Sequence, residues 1–171
     1  MPTIANMSKV NGIVISGAPA VSDAHVLIST PLDISVSDTA VSTVDVTLGI
    51  DSLYDVYEFH CIGTHPSGTS LPNFEFQVDT GTNTSYNQTI TSTYFQAQSN
   101  HTADGASNFT AVEYSTGEDQ GQGTAFQKIA HGMGDENDDS ASVILKLYAP
   151  SSTTYIKHFT SVSQMNHHNN S

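Results

Sequence analysis

His60 and Cys61 are the two neighbouring residues that could supply a base and a nucleophile. A thiol beside an imidazole can form such a pair. The residues around them are aromatic and β-branched, which predicts a strand. Because successive side chains of a strand point to opposite faces, the imidazole and the thiol are not expected to touch. We therefore interpret Cys61, the single cysteine of the chain, as a buried structural residue.

An acidic loop is the strongest candidate for binding a metal ion. Asp135, Asn137 and Asp139 occupy positions 1, 3 and 5 of an EF-hand-like pattern, and oxygen ligands of this kind suit Ca²⁺. The pattern then fails, because Ser140 stands where the motif needs Gly and Lys146 where it needs Glu. Two alternatives remain: a looser calcium site built from the first three residues, or a solvated acidic loop. No other cofactor is expected.

Carboxylates that could act in pairs on a glycosidic bond occur on predicted strands, at Glu58, Glu75, Asp79 and Glu113. Charged side chains seldom lie fully buried, so we interpret these four as outward-facing strand residues. The sequence has neither a glycine-rich phosphate loop before a helix nor a G-x-S-x-G motif. No catalytic residue is predicted, and the chain is not expected to be an enzyme.

Histidines outnumber lysines by eight to four. None stands in an H-E-x-x-H motif or in an i, i+2 pair on a strand, so we predict no zinc site among them. Below pH 6 they would supply most of the positive charge. Assembly of the protein is therefore expected to change between pH 8 and pH 5. The eight are His25, His60, His65, His101, His131, His158, His167 and His168.

Length and charge limit the classes of protein that remain. The chain has 171 residues, enough for one domain of ordinary size. Its formal net charge of −13 argues against binding to nucleic acid or to an anionic membrane. No run of 18 apolar residues predicts a membrane span. The first ten residues do not resemble a secretory signal.

The composition predicts an all-β protein. The chain has 22 Ser, 20 Thr and 11 Asn, which favour strands and turns over helix interiors. Apolar and polar residues alternate, as at Val44, Val46, Leu48 and Ile50, and turn signals separate at least seven such segments. No stretch of 12 residues has the pattern of an amphipathic helix. We predict an antiparallel β-sandwich, jelly-roll-like, with few or no helices.

Residues 1–43 are predicted to form an N-terminal arm or first strands with a role in assembly, and residues 44–171 a β-sandwich domain, unless the two are one continuous domain. Apolar side chains on both parities from Leu53 to Ile62 predict a central strand covered on both faces. The polar residues 96–107 are predicted to be a loop. The predicted core consists of aromatic and aliphatic residues: Tyr54, Tyr57, Phe59, Phe74, Phe76, Val78, Leu145 and Leu147. If Phe76 is buried, its replacement by Ala should cost about 3–5 kcal/mol.

Several segments resemble a domain of marine bacteriophage virion proteins, including the tail-fibre-like proteins of cyanophages. They are residues 52–59 (SLYDVYEF), His65-Pro66 with residues 74–77 (FEFQ), residues 123–130 (GTAFQKIA) and residues 145–159 (LKLYAPSSTTYIKHF). The resemblance covers about residues 44–162. It implies a β-sandwich in a structural protein of the virus particle. The shared residues form strands and turns, so the resemblance implies no catalytic residue.

The C-terminal end departs from that family. Its domains continue with an apolar strand, a Gly-Asn-Ile turn and a closing strand, whereas this chain ends in residues 166–171, NHHNNS. Two core strands are therefore expected to be missing, and an uncovered sheet edge invites pairing with another chain. Either this chain is part of a longer product, or a neighbouring subunit adds the strand.

The leading hypothesis is a bacteriophage structural protein on the outside of the particle, made in the host cytoplasm without a signal peptide. A capsid decoration or cement protein and a tail or fibre component both stay open. The expected partners are copies of the same chain and other capsid or tail proteins. The alternative is a glycan- or receptor-binding module in which Tyr94 or Tyr114 stacks on a sugar ring. The absence of Trp weakens this alternative.

Overall fold

The computed structural model of the chain describes residues 43–46, 49–66, 71–81, 83–99, 109–134, 136 and 138–166. Within these ranges the backbone forms nine β-strands and no helix. The strand pairs whose register is defined are all antiparallel. The prediction of an antiparallel all-β fold is thereby confirmed, whereas the sandwich or jelly-roll arrangement stays a prediction. Apart from Thr43, the predicted arm of residues 1–43 lies outside the described residues.

The strands are mostly short, as expected for a chain with frequent turn residues. In chain order they are β1 (Val56–Thr64), β2 (Phe74–Phe76), β3 (Ile90–Thr91), β4 (Phe95–Ser99), β5 (Phe109–Tyr114), β6 (Gly121–Gly123), β7 (Gln127–Ala130), β8 (Ala141–Tyr148) and β9 (His158–Met165).

The described chain divides into two compact units. Unit 1 contains the described residues of 43–66 together with Ala141–Gln164, and it holds a three-stranded sheet in the order β1-β8-β9. Unit 2 contains the described residues of 71–140 together with residues 165 and 166. It holds three two-stranded ribbons, β2-β7, β3-β6 and β4-β5.

Unit 1 is organised by the alternation of apolar and polar residues in β8. Val143, Leu145 and Leu147 are buried on one face of this strand, and the residues between them are not. Leu147 lies opposite Tyr57 of β1, which is also buried. Burying an aliphatic or aromatic side chain stabilises a fold by about 1.5–3 kcal/mol. This apolar face therefore stabilises unit 1.

The buried ring of Tyr57 reaches a loop at the end of its own sheet. Its hydroxyl lies 2.9 Å from Oδ1 of Asp51 and accepts the backbone N–H of Asp51 at 3.0 Å. The ring of Tyr54 meets the Tyr57 ring edge-on, with centroids 6.0 Å apart. Buried tyrosines usually satisfy their hydroxyl in this way. The contact fixes the chain that leads into β1.

The prediction of a central strand between Leu53 and Ile62 is wrong. Among the described strands β1 stands at one end of the order β1-β8-β9, and its Val56 and Ile62 are exposed. The register shifts between Cys61 and Thr64, where Gly63 adopts a left-handed conformation with φ of +64°. Apolar residues on both parities therefore mark one buried face and one exposed face here, rather than two covered faces.

Unit 2 has a small apolar interior. Its buried residues include Ile90 of β3, Ile129 and Ala130 of β7, and Met133, whose backbone N–H donates to the carbonyl of Pro72 at 2.9 Å. The longest ribbon, β4-β5, includes residues 96–99. The prediction that residues 96–107 form a loop is therefore wrong for its first four residues. The remaining eight lie outside the described residues.

One polar side chain is buried at the centre of unit 2. Gln127 of β7 is 2% exposed. Its Nε2 donates to the carbonyls of Glu118 (3.0 Å) and Lys128 (2.8 Å), and its Oε1 accepts the hydroxyl of Ser92 at 2.6 Å. A buried amide is stable only when both ends are bonded in this way. Gln127 therefore joins three separate segments of unit 2.

The predicted core is confirmed for Tyr57, Leu145 and Leu147, which are buried. The other predicted core residues are only half-buried, and for these the prediction is wrong in degree: Tyr54, Phe59, Phe74, Phe76 and Val78.

Candidate functional site

The first candidate surface is strand β9 of unit 1. It is the last strand in the order β1-β8-β9. None of its eight residues is buried, and five are exposed. Val162, in the middle of the strand, is 74% exposed. Tyr148 of β8 holds β9 on its inner side through a hydrogen bond between the Tyr148 and Thr160 hydroxyls at 3.1 Å.

The sequence around β9 differs in charge from the rest of the chain. Residues 1–140 contain all 17 Asp and Glu and two of the four Lys, which gives a formal charge of −15. Residues 141–171 contain no Asp or Glu and the other two Lys, which gives +2. Strand β9 therefore belongs to the longest stretch of the sequence that carries no negative side chain.

The exposed face of β1 and β8 carries a small ion-pair cluster. Oε1 of Glu58 lies 2.7 Å from Nζ of Lys146, its cross-strand partner, and Oε2 lies 3.1 Å from Nε2 of His60. The hydrogen bond to Glu58, together with the negative charge of that carboxylate, raises the pKa of Lys146. Opposite charges placed across a strand pair favour its register. The role of this cluster is thus to hold β1 against β8.

The structure places Cys61 on the face opposite His60, as strand geometry predicts. His60 is exposed beside Glu58, whereas Cys61 lies opposite Val143 of the buried face. Cys61 is half-buried rather than fully buried. Burial raises the pKa of its thiol, so the thiol stays protonated at neutral pH. These positions do not form a nucleophile–base pair.

The second candidate surface is the aromatic face of the β4-β5 ribbon in unit 2, formed by Phe95, Val112 and Tyr114. Phe95 lies directly opposite Tyr114, with ring centroids 5.6 Å apart and ring planes inclined by 45°. Their exposed fractions are 64% and 48%, and that of Val112 is 71%. Three large apolar side chains thus stand in water on one short ribbon.

A carboxylate lies at the edge of this aromatic face. The hydroxyl of Tyr114 donates a hydrogen bond to Oδ2 of Asp119. This bond raises the pKa of Tyr114, with smaller contributions from burial and from the Asp119 charge. The other face of the ribbon is held by Gln96, whose Nε2 donates to Glu113 at 3.0 Å. The ribbon therefore presents an oriented ring with a fixed acidic neighbour.

Tyr94, the other predicted stacking residue, is half-buried rather than presented to solvent. Burial raises the pKa of its hydroxyl, and the charge of Glu118 raises it further, while a hydrogen bond with the backbone of His131 opposes the rise. The backbone carbonyl of Tyr94 accepts the N–H of Ser115 at 2.9 Å. Of the two predicted stacking residues, the structure leaves only the Tyr114 ring accessible.

Glu118 forms the centre of a charged cluster in unit 2. Its carboxylate, 9% exposed, lies 2.5 Å from Nζ of Lys128 and 3.3 Å from Nε2 of His131. Gln127 binds the Glu118 backbone carbonyl, as described above. A largely buried carboxylate needs such compensation. The sequence does not indicate this cluster, because nine residues, which include strand β6, separate Glu118 from Lys128.

The predicted calcium site is described only in part. Asp135 and Asn137 lie outside the described residues. Asp139 is described, and its Oδ2 accepts the backbone N–H of Glu136 at 3.1 Å, while its own N–H donates to the Glu136 carbonyl at 3.0 Å. Among the described residues no three His, Cys, Asp or Glu side chains converge on a metal-sized position. The calcium site stays a prediction.

Asp79 organises a loop through hydrogen bonds, whereas the sequence predicted only that its carboxylate faces outward. Its Oδ1 accepts hydrogen bonds from the backbone of Thr80 (2.8 Å) and from the side chains of Asn83 (2.9 Å) and Gln88 (3.0 Å). Its Oδ2 accepts the backbone N–H of Tyr86 at 2.7 Å. The D-T-G-T-N turn signal could have indicated such an Asx-type loop. The role of Asp79 is structural.

Comparison of this chain with protein-family models, with curated proteins and with solved structures finds no match. Over the described ranges, no helix has the length and apolar character needed to cross a bilayer.

Proposed function

We propose that this chain is a structural protein exposed on a bacteriophage particle, where it acts by protein–protein assembly. The observation that carries the proposal is the outer strand β9, which has no buried residue and belongs to an acid-free segment. A sheet edge of this kind favours the addition of a strand from another chain. The resemblance of residues 44–162 to marine phage virion proteins supports the same role.

The state of the titratable side chains also supports assembly over catalysis. Glu58 is bound to Lys146, Glu118 to Lys128, and Asp79 to its own loop. Each of these carboxylates stabilises the local fold instead of facing a reactive partner. Binding through strand edges and exposed apolar side chains needs no activated group.

The proposed architecture is an antiparallel sandwich of the jelly-roll kind, and the proposed partners are other copies and capsid or tail proteins. Both positions on the particle, capsid decoration and tail or fibre, fit an acidic surface with little Lys. Neither nucleic acid nor a membrane is a proposed partner, because a formal charge of −13 repels phosphate groups.

Mass spectrometry of purified particles tests this proposal. Particles produced from the genome that encodes the chain are banded by density and washed at high salt, and peptides of this chain are then quantified against the major capsid protein. We expect the chain to stay with the particles at a fixed ratio. Peptides found only in the unbanded lysate would contradict the proposal.

A second candidate function is glycan binding, favoured by the aromatic face of the β4-β5 ribbon. An exposed ring with a carboxylate beside it, as in Tyr114 and Asp119, can stack on a sugar and bind its hydroxyls. A glycan array with wild type and Y114A tests this candidate. Y155A is the matched control, because Tyr155 is also exposed but lies in unit 1. Binding that Y114A removes and Y155A keeps would support it, and no bound glycan would exclude it.

A further inference from the structure

The outer edge of β9 is covered by no other strand in the described part of the chain. One side of β9 pairs with β8, and the order β1-β8-β9 ends there. Such an edge presents backbone N–H and C=O groups that can accept another strand. Val162 adds an apolar side chain that is 74% exposed at the middle of the strand.

Natural sheets protect an outer strand with charges, proline or a bulge. β9 reads HFTSVSQM and contains no Lys, Arg, Asp, Glu or Pro. The opposite edge of the same sheet is protected, since β1 carries Glu58 and a register shift next to Gly63. Of the two strands that end this sheet in the described part of the chain, β9 is therefore the one that these devices leave open to another strand.

Charge favours this segment for contact between two copies of the chain. Each copy has a formal charge of −13, so most approaches bring carboxylates together. Residues 141–171 contain no Asp or Glu, so two copies that meet through β9 bring no acidic side chains of that strand together. A strongly acidic chain can thus associate with itself at β9 at a low electrostatic cost.

An antiparallel arrangement of the two β9 strands also separates their few positive groups. Lys157 and His158 stand at the start of β9. In an antiparallel pair they lie opposite the Met165 end of the other copy, about 24 Å from their own counterparts at 3.4 Å per residue. A two-fold axis of this kind is the commonest symmetry of homo-oligomers.

We propose that two copies of this chain pair antiparallel along the outer edges of β9, around a two-fold axis near Ser161 and Val162. The two sheets then form one six-stranded sheet in the order β1-β8-β9-β9-β8-β1. This inference rests on the proposed assembly function, because it names the contact through which assembly begins.

Charge exchange at Val162 tests the pairing. V162K and V162E each place two like charges beside the axis, so sedimentation velocity should show Kd for self-association raised at least about ten-fold in each. An equimolar mixture of the two variants places opposite charges across the axis. We expect the mixture to recover the association of the wild-type chain.

The matched control is L53K, because Leu53 is exposed to nearly the same extent as Val162 but lies outside β9. L53K should associate as wild type does. A monomeric wild-type chain at about 100 µM would overturn the inference, as would equal weakening by L53K or a failure of the mixture to recover. Circular dichroism of every variant confirms that the strands are intact.

Cysteine cross-linking measures the register between the two β9 strands without a change in charge. Replacement of Cys61 by Ser gives a cysteine-free chain, to which S161C or V162C is added. Opposed residues of an antiparallel pair have Cα atoms about 4.5–5.5 Å apart, within the range of a disulfide. A two-fold axis at Ser161 or at Val162 places one of these residues opposite its own copy, so S161C or V162C should cross-link with itself. A mixture should give no S161C–V162C cross-link, because these two side chains point to opposite faces of the sheet. H158C should cross-link with Q164C for an axis at Ser161, or with N166C for an axis at Val162, and not with itself.

The inference and the proposed function can fail separately. Incorporation into particles is measured on wild type and V162K by the mass spectrometry described above. If the wild-type chain is found in particles and V162K associates with itself as strongly as wild type does, the β9 contact is overturned and the virion role stands. Absence of both chains from particles, together with loss of association by V162K, would overturn the virion role and leave the contact standing.

Discussion

The carboxylate of Asp79 accepts a hydrogen bond from the backbone N–H of Tyr86 at 2.7 Å, and this bond connects two residues that are seven positions apart in the chain. Tyr86 has a positive φ of 46°, a conformation that a tyrosine seldom adopts. Burial by itself raises the pKa of Asp79, but the hydrogen bonds from Thr80, Tyr86, Gln88 and Asn83 outweigh it and hold the pKa below its usual value. The ionised carboxylate is therefore part of the fold.

Asp79→Asn should lower the melting temperature at pH 7. A lowered folded-state pKa means that the stabilisation is complete above the unfolded-state pKa of about 3.9 and is lost as the pH falls through the folded-state value. The difference between wild type and D79N should thus shrink as the pH is lowered from 4 to 2, as measured by urea unfolding. D138N removes the same charge from an exposed position and serves as the control. An equal effect of D138N would contradict the role of the loop.

Val143→Ala should lower the free energy of unfolding by about 2 kcal/mol, because Val143 is 1% exposed and its methyl groups leave a cavity. V162A, at an exposed position of β9, should change it by less than about 0.5 kcal/mol. Phe76 is half-buried, so F76A should cost less than about 3 kcal/mol rather than the 3–5 kcal/mol of a buried ring. Guanidinium unfolding measures all three. Similar losses from V143A and V162A would show that the apolar face of unit 1 is misassigned.

Glu118→Gln should destabilise the protein by about 1–2 kcal/mol. The substitution removes the charge that compensates Lys128 and His131, while solvent around the partly exposed lysine limits the loss. E75Q, on an exposed position of β2, is the matched control and should be neutral. Thermal unfolding of both variants at pH 7 checks the prediction. A neutral E118Q would mean that the cluster does not hold unit 2 together.

Self-association should strengthen as the pH is lowered from 8 to 5. Histidine is the side chain whose charge ordinarily changes between pH 8 and pH 5, and the chain has eight; if all eight were charged, the formal charge would be −5 in place of −13. Two copies then repel each other less. Sedimentation equilibrium at several pH values measures Kd, and high salt should remove most of the effect by screening. A Kd that is constant across this range at low salt would refute the electrostatic account of assembly.

The alternation of apolar residues predicted part of the fold correctly. Tyr57, Leu145 and Leu147 lie on the parities that are buried. The position of β1 within its sheet could not be read in this way, because the apolar residues Val56 and Ile62 occur on its exposed face. Strand order depends on which strands pair with each other. β1 pairs with β8, and more than 75 residues of the sequence separate these two strands.

Gln127 shows a second limit of sequence reasoning. Hydrophobicity favours burial of Phe126 and exposure of Gln127, but Phe126 is 43% exposed and Gln127 is buried. The amide is stable inside only because Ser92, 35 residues away, and the carbonyls of Glu118 and Lys128 satisfy it. Partners that distant leave no local signal. Tyr114 was predicted as a stacking residue from its type alone, and the ring of Phe95 beside it was not predicted.

Electron microscopy of purified particles labelled with an antibody to this chain tests the central claim most directly. The account predicts label at fixed sites on the particle, either spread over the head in many copies or confined to the tail. Head label would assign the chain to capsid decoration, and tail label would assign it to the tail or fibre. Particles that carry no label, while the antibody recognises the free chain, would contradict the virion role and make the aromatic face of β4-β5 the leading functional site.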